Sequence, residues 1–303
     1  AIAKELAVHS KHGTWDADVV ALPPGRTAVD TKWIFKAQRN ADGTLKKYKA
    51  RLVARGFTQV HGVDFHETYA PVMRLATLRI CRALAVRKRW AIADVDVEAA
   101  YLNSDLEEEV YSDIPEGLSI KGDKTGVLRL RRPLYGLKQA GRAWGTKLRA
   151  ALVGLGFCQA VADQGAYVRM GKAGVERKKR RYTTLDARPY LPSTTSSNVP
   201  STRAELTLRK PSTIVSSRPK ERADSPSWPA AGHRYFSDIG ANAWVLTWVD
   251  DLVVFAQTEA ETTEILQALG ETFTLTVGSL SSLVGLRIRR HEDGITIDQE
   301  AYI

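Results

Sequence analysis

The chain has 303 residues, 44% of them apolar, enough to bury the core of one large domain or two ordinary ones. Two cysteines cannot build a disulfide framework, no Cys/His cluster has zinc-finger spacing, and no apolar run reaches the roughly 18 residues that cross a bilayer. The net charge of +10 invites a nucleic-acid partner, but it is uneven: residues 171–240 hold 14 Lys/Arg against 6 Asp/Glu, which leaves 30 against 28 elsewhere.

In chain order, residues 1–14 read as an N-terminal flank without the long apolar stretch of a signal peptide. Residues 15–90 open a first unit. Lys32-Trp33-Ile34-Phe35-Lys36 alternates polar and apolar side chains, the period of a half-buried strand. Asn40-Ala41-Asp42-Gly43 supplies turn chemistry, and Tyr48 to Ala54 returns as a second strand. The hairpin is basic: Lys32, Lys36, Arg39, Lys46, Lys47, Lys49, Arg51 and Arg55 stand against Asp42 alone between residues 32 and 58. Leu75, Leu78, Cys81, Leu84 and Ala85 then recur at helical spacing.

Residues 91–170 begin with a short strand, Ala91 to Val97. They continue to a helix near 134–156, where Leu137, Ala140, Trp144, Leu148 and Leu152 share one face. Residues 171–240 differ in kind, with 24 Ser, Thr and Pro among 70 and a basic run, Arg177 to Arg181. Such a composition predicts a disordered insert, because it cannot bury enough apolar surface to offset ordering entropy. Residues 241–303 become compact again. Strands Ala243–Thr247 and Leu252–Ala256 flank Trp248-Val249-Asp250-Asp251, a helix follows near 259–271, and a hairpin closes the segment.

Asp250 and Asp251 are adjacent acids between apolar strands, where they repel each other and lose hydration. That pattern fits an acidic surface turn, or a turn that aims both carboxylates at a divalent cation. Phosphoryl-transfer enzymes use two such ions roughly 3.5–4 Å apart, and magnesium suits oxygen ligands that leave room for substrate phosphates. A third carboxylate would come from Asp94-Val95-Asp96-Val97.

The blocks Lys32–Lys36, Tyr48–Gln59, Glu67–Val72, Asp96–Asn103, Asp105–Tyr111, Leu134–Ala140, Val249–Asp251 and Leu283–Leu286 stand in one order along the chain. Together they resemble copia-type retrotransposon reverse transcriptases. The resemblance implies an α+β fold, the fingers and palm of a right-hand polymerase, with an antiparallel palm sheet backed by helices. It makes Asp96, Asp250 and Asp251 the catalytic carboxylates, and adds the Val97 carbonyl as a further ligand for two Mg2+ ions, with Mn2+ as a substitute. Lys49, Arg51, Tyr101 and Gln139 become nucleotide contacts, Tyr101 as the ring beneath the incoming sugar, and Trp248 a primer contact. The implied partners are an RNA template, a DNA or tRNA primer and deoxynucleoside triphosphates, with no membrane. A cytoplasmic virus-like particle, or the nucleus, is the implied location.

The chain also departs from that pattern. Trp248 stands where the family has Tyr, Gly141 where it has Pro, and Gly145 where it has Tyr. Segment 171–240 interrupts a connection that the family keeps short, which suggests a retained intron or a frameshifted stretch. The chain stops just after the closing hairpin, so a thumb, RNase H, integrase and protease are expected to be missing. Two expectations follow: an RNA-directed DNA polymerase domain, or an inactive retrotransposon relic that at most binds nucleic acid.

Overall fold

The computed structural model describes residues 1–39, 43–118, 126–171 and 241–278, together with the backbone of 282–283, 286–291 and 294–298. The reading of 171–240 as a disordered insert falls outside the described residues, save Gly171, as does the hairpin turn 40–42.

The described chain is α+β. It runs α1 (Ile2–His12), β1 (Ala28–Val29), β2 (Thr31–Arg39), β3 (Leu45–Ala54), α2 (Leu75–Lys88), β4 (Ala91–Val97), β5 (Val110–Ser112), β6 (Leu128–Leu130), α3 (Ala140–Gly154), β7 (Phe157–Gln159) and β8 (Ala166–Met170). After the undescribed segment come β9 (Ala241–Trp248), β10 (Asp251–Ala256), α4 (Glu259–Gly270), β11 (Leu275–Gly278) and the short strands β12 (Ser282–Leu283), β13 (Leu286–His291) and β14 (Gly294–Asp298).

The centre is a six-stranded sheet ordered β11-β4-β10-β9-β8-β7, antiparallel at every pairing. Its middle strands read as nearly unbroken apolar runs, since both faces are covered. One face meets α3 and α4, where Trp144, Leu148, Leu152, Ile265 and Leu269 pack on Val95, Val245, Leu252 and Val254. The other meets α2, through Leu78, Cys81 and Ala85 against Leu246, Val253 and Phe255. Each buried Leu or Val contributes about 1.5–3 kcal/mol. Helices thus cover both faces of the sheet, and α2 packs there although the sequence grouped it with the hairpin. α4 starts on a built cap: the Glu261 amide donates to the Thr258 hydroxyl, with Glu259 and Glu261 in the first turn favoured by the helix dipole.

β2 and β3 pair as the expected basic hairpin, from Thr31 opposite Ala54 outward. Its base joins a third core with Val29, Leu52, Ala54, Leu134 and Leu137. There the segment after β6 crosses β3 closely: the Ala54 amide donates 2.7 Å to the Tyr135 carbonyl. Gly136 has φ +94°, and a methyl group on it would run into the Ala54 carbonyl, so glycine is required at this crossing.

The N-terminal flank takes a definite structure. Ile2–His12 is a helix ended by Gly13 in the left-handed region, φ 57°. It packs on β3, and the Leu52 amide donates 3.4 Å to the Glu5 carboxylate. Among its residues only His9 is fully buried.

Candidate active site

β9 and β10 are joined by a two-residue loop, Val249-Asp250, closed by Trp248 opposite Asp251. Val249 has φ 56°, an uncommon conformation for a β-branched residue, and is the only one of the two with positive φ. Two bonds hold this strained turn. The Trp144 indole N–H donates 2.6 Å to the Val249 carbonyl from α3, and the Val97 amide donates 2.9 Å to the Asp250 carbonyl from β4. Sparsely populated backbone that its surroundings enforce tends to mark functional turns.

The register brings the three expected acids to one edge of the sheet. Asp251 lies directly opposite Asp96, and Val253 opposite Asp94. By the two-residue period, Asp94, Asp96 and Asp251 share the face toward α2. Their fates differ. Asp94 is 1% exposed and takes the Arg82 guanidinium at 2.6 Å, so this carboxylate neutralises a buried arginine. Asp96 is exposed, Asp250 and Asp251 are half-buried, and none of these three is in an ion pair among the described residues.

Electrostatics tie them together. Partial burial and then Asp250 raise the Asp96 pKa, while Lys49 and Arg51 pull it down. Burial, followed by Asp250, Asp96 and Asp94, pushes Asp251 up to about 6. Crowded carboxylates without a paired cation are all-oxygen donors of the kind hard divalent ions take, so the donor set fits magnesium or manganese. Among the described residues no three acidic, His or Cys side chains converge closely enough to enclose one ion as they stand.

The basic hairpin covers this cluster. Burial and Arg51 lower the Lys49 pKa, with Asp96 acting against them. The Arg51 guanidinium lies 4.6 Å over the Tyr135 ring, whose centroid is 4.5 Å from that of Tyr101. Burial and then Asp250 raise the pKa of both phenols. Lys49 and Arg51 thus act electrostatically on Asp96, and Asp250 on Tyr101. Tyr135 joins them, a residue that sequence reasoning passed over although it lies in the Leu134–Ala140 block.

Gln139 and Trp248 have packing partners of their own. Gln139 is 2% exposed and spends its amide on the fold: Gln59 donates to its oxygen at 3.1 Å, and it donates to the Asp64 carbonyl at 2.8 Å. These contacts tie its amide to Gln59 and to the Asp64 carbonyl. Trp248 sits across from Asp251, but its half-buried ring packs with the apolar cluster around α2. Val97 closes β4 with its side chain buried at 1% exposure and its amide bound to the acidic turn.

The family described as reverse transcriptase (RNA-dependent DNA polymerase) matches residues 12–175, more than half of the chain. Among curated proteins, the chain is 41% identical over 168 residues to the retrovirus-related Pol polyprotein from transposon RE2 of Arabidopsis thaliana, covering 55% of this chain and 12% of that protein. The corresponding polyprotein from transposon TNT 1-94 of Nicotiana tabacum is 37% identical over 167 residues, again 55% of this chain and 12% of its own length. A Gag-Pol polyprotein of transposon Ty1-ER2 from Saccharomyces cerevisiae is 34% identical over 159 residues, 50% of this chain and 8% of its own. The chain thus spans about an eighth or less of these relatives. The family match contains Asp96; the sheet register adds Asp250 and Asp251 to it.

Proposed function

This chain belongs to the reverse transcriptase (RNA-dependent DNA polymerase) family, in its copia-type retrotransposon branch, and from that premise we propose that its hairpin and sheet act as fingers and palm in primer extension on an RNA template. The observation that carries the proposal is Asp96 lying opposite Asp251, with Lys49 and Arg51 near enough to pull the Asp96 pKa down.

Asp96, Asp250, Asp251 and the Val97 carbonyl would hold two divalent ions, Mg2+ or Mn2+ in its place. Bound there, they would supply charge stabilisation to both the attacking and the leaving oxygen. Lys49 and Arg51 bind the triphosphate of an incoming deoxynucleotide and offset the charge that builds on it. Tyr101 places its ring beneath the sugar, where a 2′-hydroxyl would collide with it. The strained turn, pinned by Trp144 and Val97, keeps Asp250 and Asp251 aimed without reorganisation. A DNA or tRNA primer would end beside Trp248, and the partners of the parent polyprotein would be its integrase, RNase H and protease.

Primer extension on an RNA template, run with this chain and with Asp250→Asn, tests the reading. Loss of about 100-fold or more in the variant is expected, the scale on which removing preorganised charge stabilisation acts. Equal incorporation by both proteins would overturn it, and none by either would support the inactive relic.

A further inference from the structure

Arg51 presents an unusual way of holding a cation near an acidic site. Among the described residues its guanidinium is in no ion pair, Glu5 and Asp96 acting on it only through space; the group it rests on is the face of Tyr135, 4.6 Å from the ring centroid. A carboxylate partner would fix the side chain and cancel its charge. An aromatic face fixes it through the ring quadrupole and leaves the charge for an anion. Tyr135 is itself held at three points. Its carbonyl accepts the Ala54 amide, Gly136 permits the close backbone crossing beside it, and its ring rests on Tyr101 at 4.5 Å and 46°. The phenol thus spans from the β3 strand that carries Arg51 to the 3₁₀ turn Ala100–Asn103 beside the acids.

We propose that Tyr135 is a positioning residue that holds the Arg51 guanidinium uncompensated and aimed at the triphosphate of the bound nucleotide. The inference rests on the polymerase reading for the identity of that anion, but the cation–π support requires only that a polyphosphate bind there. The ring, not the hydroxyl, does the holding.

Calorimetric binding of inorganic tripolyphosphate by the whole chain tests this without any need for catalysis. Tyr135→Phe keeps the ring, so its affinity stays within about twofold. Tyr135→Leu removes the quadrupole, and affinity falls about five- to thirty-fold, the equivalent of 1–2 kcal/mol. In an Arg51→Gln background Tyr135→Leu has no further effect, whereas a ring that merely packs would cost the same in both backgrounds. Equal binding by Tyr135→Leu and the unaltered chain, additive losses, or no binding to the unaltered chain would each overturn the proposal. Circular dichroism of each variant separates these outcomes from unfolding. If tripolyphosphate binds as expected and primer extension fails, the polymerase reading falls while the role of Tyr135 stands. If both succeed, Tyr135→Leu lowers kcat/KM for the nucleotide about five- to thirty-fold, while Tyr135→Phe stays within about twofold.

Discussion

Replacing Arg82 by methionine would take from Asp94 its 2.6 Å ion-pair partner beneath the sheet. Both groups are 1% exposed and 2.6 Å apart, so neither is solvated by bulk water. At the effective dielectric of about 20 that suits such sites, two charges about 4 Å apart attract by about 4 kcal/mol. Removing one partner forfeits that attraction and leaves the other buried, which costs about 3–5 kcal/mol. Asp94→Leu should cost a similar amount by removing the same ion pair from the other side. The double substitution removes both charges and supplies apolar volume, so it should cost no more than about 2 kcal/mol. Urea unfolding followed by circular dichroism would measure all four proteins. The coupling should therefore reach at least about 4 kcal/mol, and a double variant that loses the sum of the singles would refute the reasoning. Asp94 then counts as ballast for α2, distinct from the acid two residues later.

Other outcomes can be checked by the same means. His9 is buried at 2% exposure, and burial, then His12, lowers its pKa from 6.5 to about 4 although the Glu5 carboxylate is 3.8 Å away. Because the folded state resists protonation, the stability this group confers is complete above about pH 6.5. It should fall by about 3 kcal/mol as pH drops toward 4, a dependence that His9→Gln should abolish. Gly145 has Pro71 Cδ 3.9 Å from a built Cβ, so Gly145→Ala fits the helix and should raise stability by about 0.5–1 kcal/mol. Gly165→Ala would drive a methyl into the Met73 backbone and should destabilise by about 1–3 kcal/mol or more, so equal melting temperatures for these two variants would contradict the packing described.

How much of this was legible in advance depended on sequence distance. The acidic turn was readable because Trp248 to Asp251 breaks an apolar alternation within a few residues, and β4 ends in its own acid. The hairpin was readable from Lys32 to Ala54 for the same local reason. The packing of Gln139 was not readable because what buries it comes from far along the chain: Gln59 and Asp64 meet it across the β3–α2 connection. Tyr135 lies between recognisable elements and follows no period, so its ring gains meaning only once Arg51 and Tyr101 converge on it. α1 escaped notice because its stability comes from docking on β3 more than from an apolar face of its own.

β8 and β9 are neighbours, with Met170 opposite Ala241, so the chain leaves the sheet and re-enters it at adjacent positions. Strands lie about 4.8 Å apart, and closing a loop of about 70 residues across that gap costs only about 2.5 kcal/mol more than closing a four-residue turn. The same geometry makes the protein divisible. A cut between these strands would leave Asp96, Lys49 and Arg51 on one piece and Asp250 and Asp251 on the other. The two pieces would recombine along three β-ladders, β8 with β9 and β4 with both β10 and β11, and the complete set of charges would then exist only where both halves are present, a two-key lock written into the order of the strands.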